Sequence, residues 1–484
     1  LPKYDIMVTK RTYNNYLLSQ EGTCLMAEKN MEYIDEIVKE MLNGTFSVFC
    51  GAGADCDATK QEWQDIFTEK TKGFYKKYSS DVYFLADLEK RYYNSESFFR
   101  DICSNLSAVS DLESQHINNI VNLNINQIWT TNFDSIIENT IQRKFGFAPT
   151  IIKESADLFT ENLGSRYVVY KLNGCVSKPD TMVLTKSDFF DYFKKQRLIF
   201  EMLKRQLVLD SFLFIGYSFT DDLVLNALRE IKEVFPNQGK VHYRFVKRKD
   251  NEKCTEEFSA LEAQYYYDKY NIKTIYIENF NEIDIYLQKL YERFCNHNVL
   301  ISGSFRHLQN NDERVYIEDL IDCLIQKLTE NSFNIYSGNG RGLGEIVVAQ
   351  INKRNAEKHF VNRPLIFTND TNEEKDVKNR LIMKDCDTMI VLCGQDASLT
   401  SSQNVISQFL MFANPSEEKK YPLVIPIPST GYAAQEIFNS NEFRCSNVFL
   451  TNQKIFEELG NTNDIEHIVH LVVNLIKSYK TERV

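Results

Sequence analysis

The apolar positions of this chain keep two rhythms. Over Met31, Ile34, Ile37, Val38, Met41 and Leu42 they recur at three- and four-residue spacing, which puts them on one helical face, so residues 1–44 read as a helical segment. At "FSVFC" the rhythm changes to a short unbroken apolar run that ends in Gly51-Ala52-Gly53 and leads into polar residues that open a helix. "INQIWTTNFDSIIENTI", "YVVYKLNG", "SFLFIGYSFTDDLVLNAL", "VHYRFV" and "IKTIYI" repeat the theme: a short apolar strand, in most cases followed by a loop and a helix-periodic stretch. Strands alternating with helices predict a parallel sheet, with ligands bound beyond the carboxyl ends of the strands.

Near Asn296 the order restarts. "VLISGS" is a strand ending in Ser-Gly-Ser, and a helix-periodic segment runs from Arg314 to Leu328. "FNIYSGNGRGLGEIVVAQI" reads as a strand, a loop with four glycines and a helix, and "PLIFT", "DTMIVLCG" and "YPLVIPI" read as further strands. The fold class is therefore α/β, with two tandem Rossmann-like domains, each a doubly wound parallel sheet. The expected organisation is a helical segment over 1–44, a first domain over 45–295 and a second over 296–484, with the boundary between about Tyr291 and Val299. No repeat with a period of 20 to 50 residues and no low-complexity tract interrupts this pattern.

Size and composition fit the picture. At 484 residues the chain exceeds one ordinary core, since a domain takes roughly 150 residues. The 43% apolar content can fill large cores, and 9 prolines and 18 glycines leave little room for disordered linkers. A net charge of -11 argues against nonspecific nucleic-acid binding, which needs clustered cations to neutralise phosphates. Eleven cysteines without a C-x-x-C pair offer neither a zinc ribbon nor a thioredoxin-type motif, and their scatter favours reduced thiols. No metal site is expected. No apolar run approaches the roughly 20 residues of a membrane span, and the first residues lack signal-peptide character, so a cytoplasmic location away from membranes is expected.

Three stretches carry candidate chemistry. "FCGAGADCDA" lacks the lysine of a P-loop and the full G-x-G-x-x-G fingerprint, so its glycines either cradle a nucleotide phosphate on backbone N–H groups or simply make a tight turn. "SGNGRGLGE" sets Gly338, Gly340, Gly342 and Gly344 around Arg341, a backbone cradle with a cation beside it, suited to an anion or to a structural loop. "IWTTNFDSII" sets Thr130, Thr131, Asn132 and Asp134 just past a strand, where a helix cap needs one such residue rather than four. A fourth stretch, "VVYKLNGCVSKPD", contains Asn173-Gly174, which by local chemistry alone signals a type I′ hairpin.

Taken in order, "FCGAGAD", "WTTNFD", "YKLNGCVSKPD" and "FLFIGYSFTD" resemble the sirtuin-like domain of bacterial antiphage proteins. With "LISGS", "IYSGNGRGLG" and "PIPSTGY" added, the chain from about Asn43 onward resembles the Thoeris effector family, a sirtuin-like NAD hydrolase joined to a nucleotide-sensing SLOG domain. The resemblance implies NAD+ cleavage to ADP-ribose and nicotinamide in a bacterial cytoplasm. It also implies activation by a cyclic ADP-ribose isomer supplied by a TIR-domain partner enzyme, and assembly into homotetramers or filaments. Gly51, Ala52 and Gly53 would hold the NAD phosphates, Thr131, Asn132 and Asp134 would line the nicotinamide and its ribose, and Gly216 and Ser218 would meet the adenosine side. Asn132 matches the catalytic asparagine, which would position ribose and water by hydrogen bonds.

The family's catalytic histidine falls at Asn173, and a neutral amide cannot take a proton as an imidazole can. None of the seven histidines is an obvious substitute, and His116 reads as structural. Asn173 therefore marks either an engineered, substrate-trapping variant, which the otherwise intact pocket favours, or a natural enzyme using another base. Asp55 stands where sirtuin-like loops usually carry serine, and Asp55 and Asp134 are the candidate alternative bases. A protein without catalysis, a sensor or scaffold for NAD or ADP-ribose derivatives, is the competing reading. In the second domain the resemblance makes Ser302, Gly303 and Ser304, with Gly338 to Gly344, the phosphate cradle for the cyclic nucleotide. Arg380 resembles the arginine that contacts this signal, and Gln408 falls where a glutamate is expected.

Overall fold

A computed structural model describes residues 19–481 apart from 60–70, 72, 76, 80, 93–97, 124, 162–166, 193–195, 220–221, 237, 249–254, 306–310, 338–341, 363–370, 372–378, 381–382, 384 and 414–421. The chain forms two compact units, the first ending at Tyr291 and the second beginning at Glu292.

The first unit is built on a seven-stranded sheet of β1 (Phe46–Cys50), β2 (Gln127–Thr130), β3 (Thr150–Ile152), β4 (Val168–Lys171), β5 (Ser211–Ile215), β6 (His242–Lys247) and β7 (Ile272–Ile277). Their order across the sheet is β3-β4-β2-β1-β5-β6-β7, and every pairing is parallel. The central strands β1 and β5 are buried at every residue, which is why they read as unbroken apolar runs rather than as alternating patterns. Trp129 of β2 and Tyr170 of β4 are register partners and stack with ring centroids 4.0 Å apart. Phe49, Phe212 and Phe214 pack in the same core. The helix Ser19–Leu42 buries Ile34, Ile37, Val38, Met41 and Leu42, the face its spacing predicts, and residues 1–18 of the expected helical segment lie outside the described residues.

From β1 the chain moves one way across the sheet, to β2 and β4, then returns to lay β5 on the other side of β1. The strand order thus reverses beside β1, and a crevice opens there at the carboxyl edge. The turns after β1 and β5 meet across it, backbone against backbone. Gly51 N–H donates to the Ile215 carbonyl and Gly53 N–H to the Gly216 carbonyl, both at 2.9 Å. A Cβ on Gly51 would stand 2.5 Å from the Gly216 oxygen, and one on Gly216, whose φ is +64°, would stand 2.1 Å from the Ala54 nitrogen. No side chain fits between these turns.

The second unit repeats the architecture with five parallel strands: β8 (Asn298–Ser304), β9 (Asn334–Ser337), β10 (Phe360–Asn362), β11 (Thr388–Cys393) and β12 (Leu423–Pro426), in the order β10-β9-β8-β11-β12. Its order reverses between β8 and β11. The helices Asn311–Glu330, Leu343–Lys353 and Ile465–Thr481 contribute Leu320, Leu324, Val347 and Val472 to its core. The two short edge strands β3 and β10 have no counterpart in the sequence reading, because three-residue strands carry too few positions to show a period. The expected strand "PLIFT" lies outside the described residues. Among the described residues no helix is long and apolar enough to cross a membrane, and the nine cysteines whose side chains are described are free thiols.

Gly216→Ala combines a positive φ with a backbone clash, so it should cost more than about 1 kcal/mol of stability, read by denaturant unfolding. Unchanged stability would contradict the close approach of the two turns.

Candidate active site

Four segments far apart in sequence end at one edge of the first sheet. Asn173 follows β4, Thr131 to Asp134 follow β2, Gly51 to Asp55 follow β1, and Gly216 and Ser218 follow β5, and these four strands are consecutive neighbours. The edge holds an unusual density of buried polarity. Asp55, Asn132, Asp134 and Asn173 are each at least nine-tenths buried, at 4, 7, 7 and 5% exposure.

Local hydrogen bonds fix the loop after β2. The Thr131 N–H donates to the Cys50 carbonyl, extending the β1–β2 ladder by one residue, and the Asn132 N–H donates to Thr130 Oγ1. Asp134 Oδ1 accepts the Ile136 N–H, the first N–H of the helix Ile136–Phe145, from one residue before the N-cap Ser135, whose own side chain makes no capping bond. None of the four is the N-cap residue, and Asp134 alone serves the helix start, through its first N–H. This leaves Asn132 for other work.

Asn132 Nδ2 donates to Asp55 Oδ2 at 3.0 Å, across 77 residues of sequence. Its Oδ1 is buried and has no hydrogen-bond partner among the described residues, an expensive state for an amide oxygen and one that a ligand hydroxyl or water would relieve. Burial, reinforced by the neighbouring charge of Asp134, pushes the Asp55 carboxyl up to about 8, although the Asn132 bond pulls the other way. The same burial, with Asp55 and Asp134, pushes the Cys50 thiol up, so Cys50 stays a neutral thiol.

Lys171, the last residue of β4, is wholly buried. Its Nζ donates to Glu138 Oε1 at 2.8 Å and to the Asp134 carbonyl. Burial opposes its charge, but the Glu138 carboxylate beside it prevails and holds its pKa above the ordinary lysine value. This pair clamps the loop after β2 to β4. Sequence reading passed over both residues, although a lysine ending an otherwise apolar strand is a visible signal of buried pairing.

Asn173-Gly174 makes no type I′ hairpin. β4 pairs only in parallel, and of the two residues Gly174 alone has positive φ, at +84°. The glycine is needed because a Cβ there would stand 2.3 Å from the Thr181 carbonyl oxygen. The Asn173 carbonyl accepts the Val183 N–H, so the backbone at this position closes the loop that returns beneath the site.

The expectation of bare phosphate-binding N–H groups needs correction at Gly51 and Gly53, whose N–H groups are both engaged with the β5 turn. Their role is close approach. Gly216 meets them with its carbonyl, and Ser218 is exposed at the rim. His116 bonds Asp284 Oδ1 at 2.8 Å, and this carboxylate raises its pKa despite burial. His242 accepts the Phe212 N–H at the start of β6, and burial depresses it to about 3. Neither is bonded to the Asp55–Asn132 pair.

In the second unit Ser302, Gly303 and Ser304 end β8 beside the reversal of strand order. Gly303 is pressed against β11, where a Cβ would lie 1.9 Å from the Leu392 oxygen, and Gly342 starts the helix Leu343–Lys353, which contains buried Gly344. Gln408 Oε1 accepts the Ser302 hydroxyl at 2.6 Å while its Nε2 donates to Asn379 Oδ1 at 2.7 Å. A glutamate could accept the first bond but not donate the second. Arg380 is exposed next to Asn379, and Gly338, Gly340 and Arg341 lie outside the described residues.

Residues 126–275 match the SIR2-like domain family, and residues 282–479 match the Sir2- and TIR-associating SLOG family. The chain is similar to proteins named NAD(+) hydrolase ThsA. It is 26% identical to that of Bacillus cereus (strain MSX-D12), across 92% of this chain and 97% of the relative. It is 23% identical to that of Enterococcus faecium, across 91% and 97%. A shorter similarity, 27% identity across 43% of this chain and 22% of the relative, links it to Defense-associated sirtuin 2 of Bacillus subtilis.

Two outcomes follow from the site's charges. From the ordinary carboxylate pKa of roughly 4 up to the native value, the folded protein keeps a proton on Asp55 that the unfolded chain releases, so stability falls as pH rises across that window. Asp55→Asn removes this loss, and its melting temperature should gain on the parent's from about pH 4 to pH 8; a gap that stays constant with pH would contradict it. Lys171→Met strands the Glu138 charge and should cost about 3–5 kcal/mol in denaturant unfolding, with K171M/E138L recovering part of the loss.

Proposed function

From the premise that this chain is a ThsA-like protein, a SIR2-like domain followed by a SLOG domain, we propose that it is an NAD+ hydrolase of antiphage defence. It splits the nicotinamide N-glycosidic bond to give ADP-ribose and nicotinamide. The observation that carries the reading is Asn132, with an orphaned amide oxygen at a crevice where four adjacent strand ends converge. Relatives aligned over more than nine-tenths of both chains bear the name NAD(+) hydrolase, which supports the same chemistry.

In this reading NAD+ lies across the carboxyl edge of the first sheet. The nicotinamide ribose sits against Asn132, whose Oδ1 accepts a hydrogen bond from a ribose hydroxyl or water, and the rest of the dinucleotide runs past the β1 and β5 turns. Thr131 and Asp134 shape the loop, and Gly51, Ala52, Gly53 and Gly216 let the substrate lie close to the backbone. A cyclic ADP-ribose isomer, made by a TIR-domain enzyme, is the activator. It binds at the carboxyl edge of the second sheet, near Ser302, Gly303, Ser304, Arg380 and Gln408. Such control requires that the nucleotide bind the active arrangement more tightly than the resting one. Self-association belongs to the same reading and is supported by exposed Leu198, Val208 and Leu209 on the helix Arg197–Leu209.

Asn173 in the histidine position favours a lower rate than a histidine-bearing homologue, and it is also the one observation that favours a sensor without turnover. Incubating the full chain with NAD+ should release nicotinamide, faster when a cyclic ADP-ribose isomer is present, and Asn132→Ala should abolish release. Asn173→His should raise the rate, since a general base is typically worth about 10²- to 10⁴-fold. No cleavage by either the parent or Asn173→His would overturn the reading, and tight NAD+ binding without cleavage would put the sensor in its place.

A further inference from the structure

We propose that Asp55 is the proton acceptor of this site, taking over the task of the missing histidine while holding Asn132 in its working orientation. The inference deepens the NAD+ hydrolase reading and rests on it.

The geometry selects Asp55 over the other acidic candidate. Asp134 Oδ1 is engaged by the Ile136 N–H at the start of the next helix, and Lys171 grips its backbone carbonyl. Asp55 is the carboxyl that meets Asn132, its Oδ2 accepting from Nδ2 at 3.0 Å, and its remaining bonds are to its own backbone and to the Asp134 carboxyl rather than to any cation among the described residues. The bond to Asp55 fixes which end of the Asn132 amide faces the protein. With Nδ2 turned to Asp55, Oδ1 is left without a partner among the described residues, and the atom that would accept a hydrogen bond from ribose or water is therefore set beside a carboxylate that can receive the proton. The serine that the resemblance would place at position 55 could not serve as a base near neutral pH.

The groups facing Asp55 are few. Asp134 approaches from the loop after β2, Cys50 from the end of β1 and Cys56 from its own turn, while Lys171 and Glu138 neutralise one another behind Asp134. Burial and Asp134 leave Asp55 largely protonated at neutral pH, and a base is most effective when its pKa lies near the working pH. In the reaction the water oxygen donates a lone pair to C1′ of the ribose. The C1′–N bond breaks, its electron pair passes to the pyridinium nitrogen, and nicotinamide leaves neutral. The water proton passes to the Asp55 carboxylate and from there to solvent, so NAD+ and water give ADP-ribose, nicotinamide and one proton.

The experiment follows nicotinamide release by the full chain with a cyclic ADP-ribose isomer present, from acidic to alkaline pH, for the parent, Asp55→Asn, Asn173→His and the double variant D55N/N173H. Asparagine at 55 keeps an oxygen to accept the Asn132 bond, and calorimetric titration of NAD+ into Asp55→Asn checks that the pocket persists. The parent's rate should climb through a limb near pH 8. Asp55→Asn should lose about 10²- to 10⁴-fold in rate while still binding NAD+. D55N/N173H should recover activity, with its limb moved down to the histidine range of about 6.5. The proposal is overturned if Asp55→Asn keeps its rate within about threefold, or if it loses NAD+ binding together with rate, which would make Asp55 a positioning residue only. A parent that cannot cleave NAD+ beside an active Asn173→His would also overturn it, yet would leave the NAD+ pocket standing. Inactivity of all four proteins would overturn both.

Discussion

The site rests on a contact in which no side chain takes part. The turns after β1 and β5 pass close enough for Gly53 N–H to reach the Gly216 carbonyl at 2.9 Å, and this closes the floor of the crevice where strand order reverses. Any Cβ at 51 or 216 would force the turns apart. Asp55 lies two residues beyond Gly53, so the path of that turn decides whether its carboxylate reaches Asn132. The glycines therefore act on the chemistry indirectly, through the position of a side chain they do not carry.

Charge is the second constraint. Two carboxylates, Asp55 and Asp134, are buried near one another, and among the described residues only Asp134 has a cation in its vicinity to balance it. Lys171 is placed by β4 to serve Glu138 and the Asp134 carbonyl. Asp55 is left to answer burial by holding a proton. An acid kept neutral by its surroundings is a typical preparation for proton transfer, and here it arises from the arrangement of three loops rather than from any special residue. The second unit solves a different problem with the same parts. Gly303 lets β8 approach β11, and the polar chain Ser302–Gln408–Asn379 spans the reversal with each amide used at both ends.

Much of this architecture can be read along the chain. Parallel strands buried on both faces leave unbroken apolar runs, and β1, β4, β5, β8, β11 and β12 all carry that mark, whereas three-residue β3 and β10 are too short to carry any. The "WTTNFD" tetrad was legible as chemistry because a cap needs fewer polar residues than it offers. The dipeptide Asn173-Gly174 misleads by local rule, since its glycine answers a clash with Thr181 seven residues on rather than a hairpin. Nothing in the linear pattern pairs Lys171 with Glu138, which belongs to a different element and a different periodicity.

What the sequence by itself determined is the longer strands and helices, the tandem organisation of two α/β sheets, and the placing of polar residues just past strand ends. Burial and backbone preference act over a few neighbouring residues, and a linear pattern records them directly. Only the tertiary structure decided which strand ends are neighbours, that Gly51 and Gly53 spend their N–H groups on β5, and that Asp55 meets Asn132. These depend on strand order, and the bond between Asp55 and Asn132 closes a loop of 77 residues whose pattern holds no trace of where its two ends will meet.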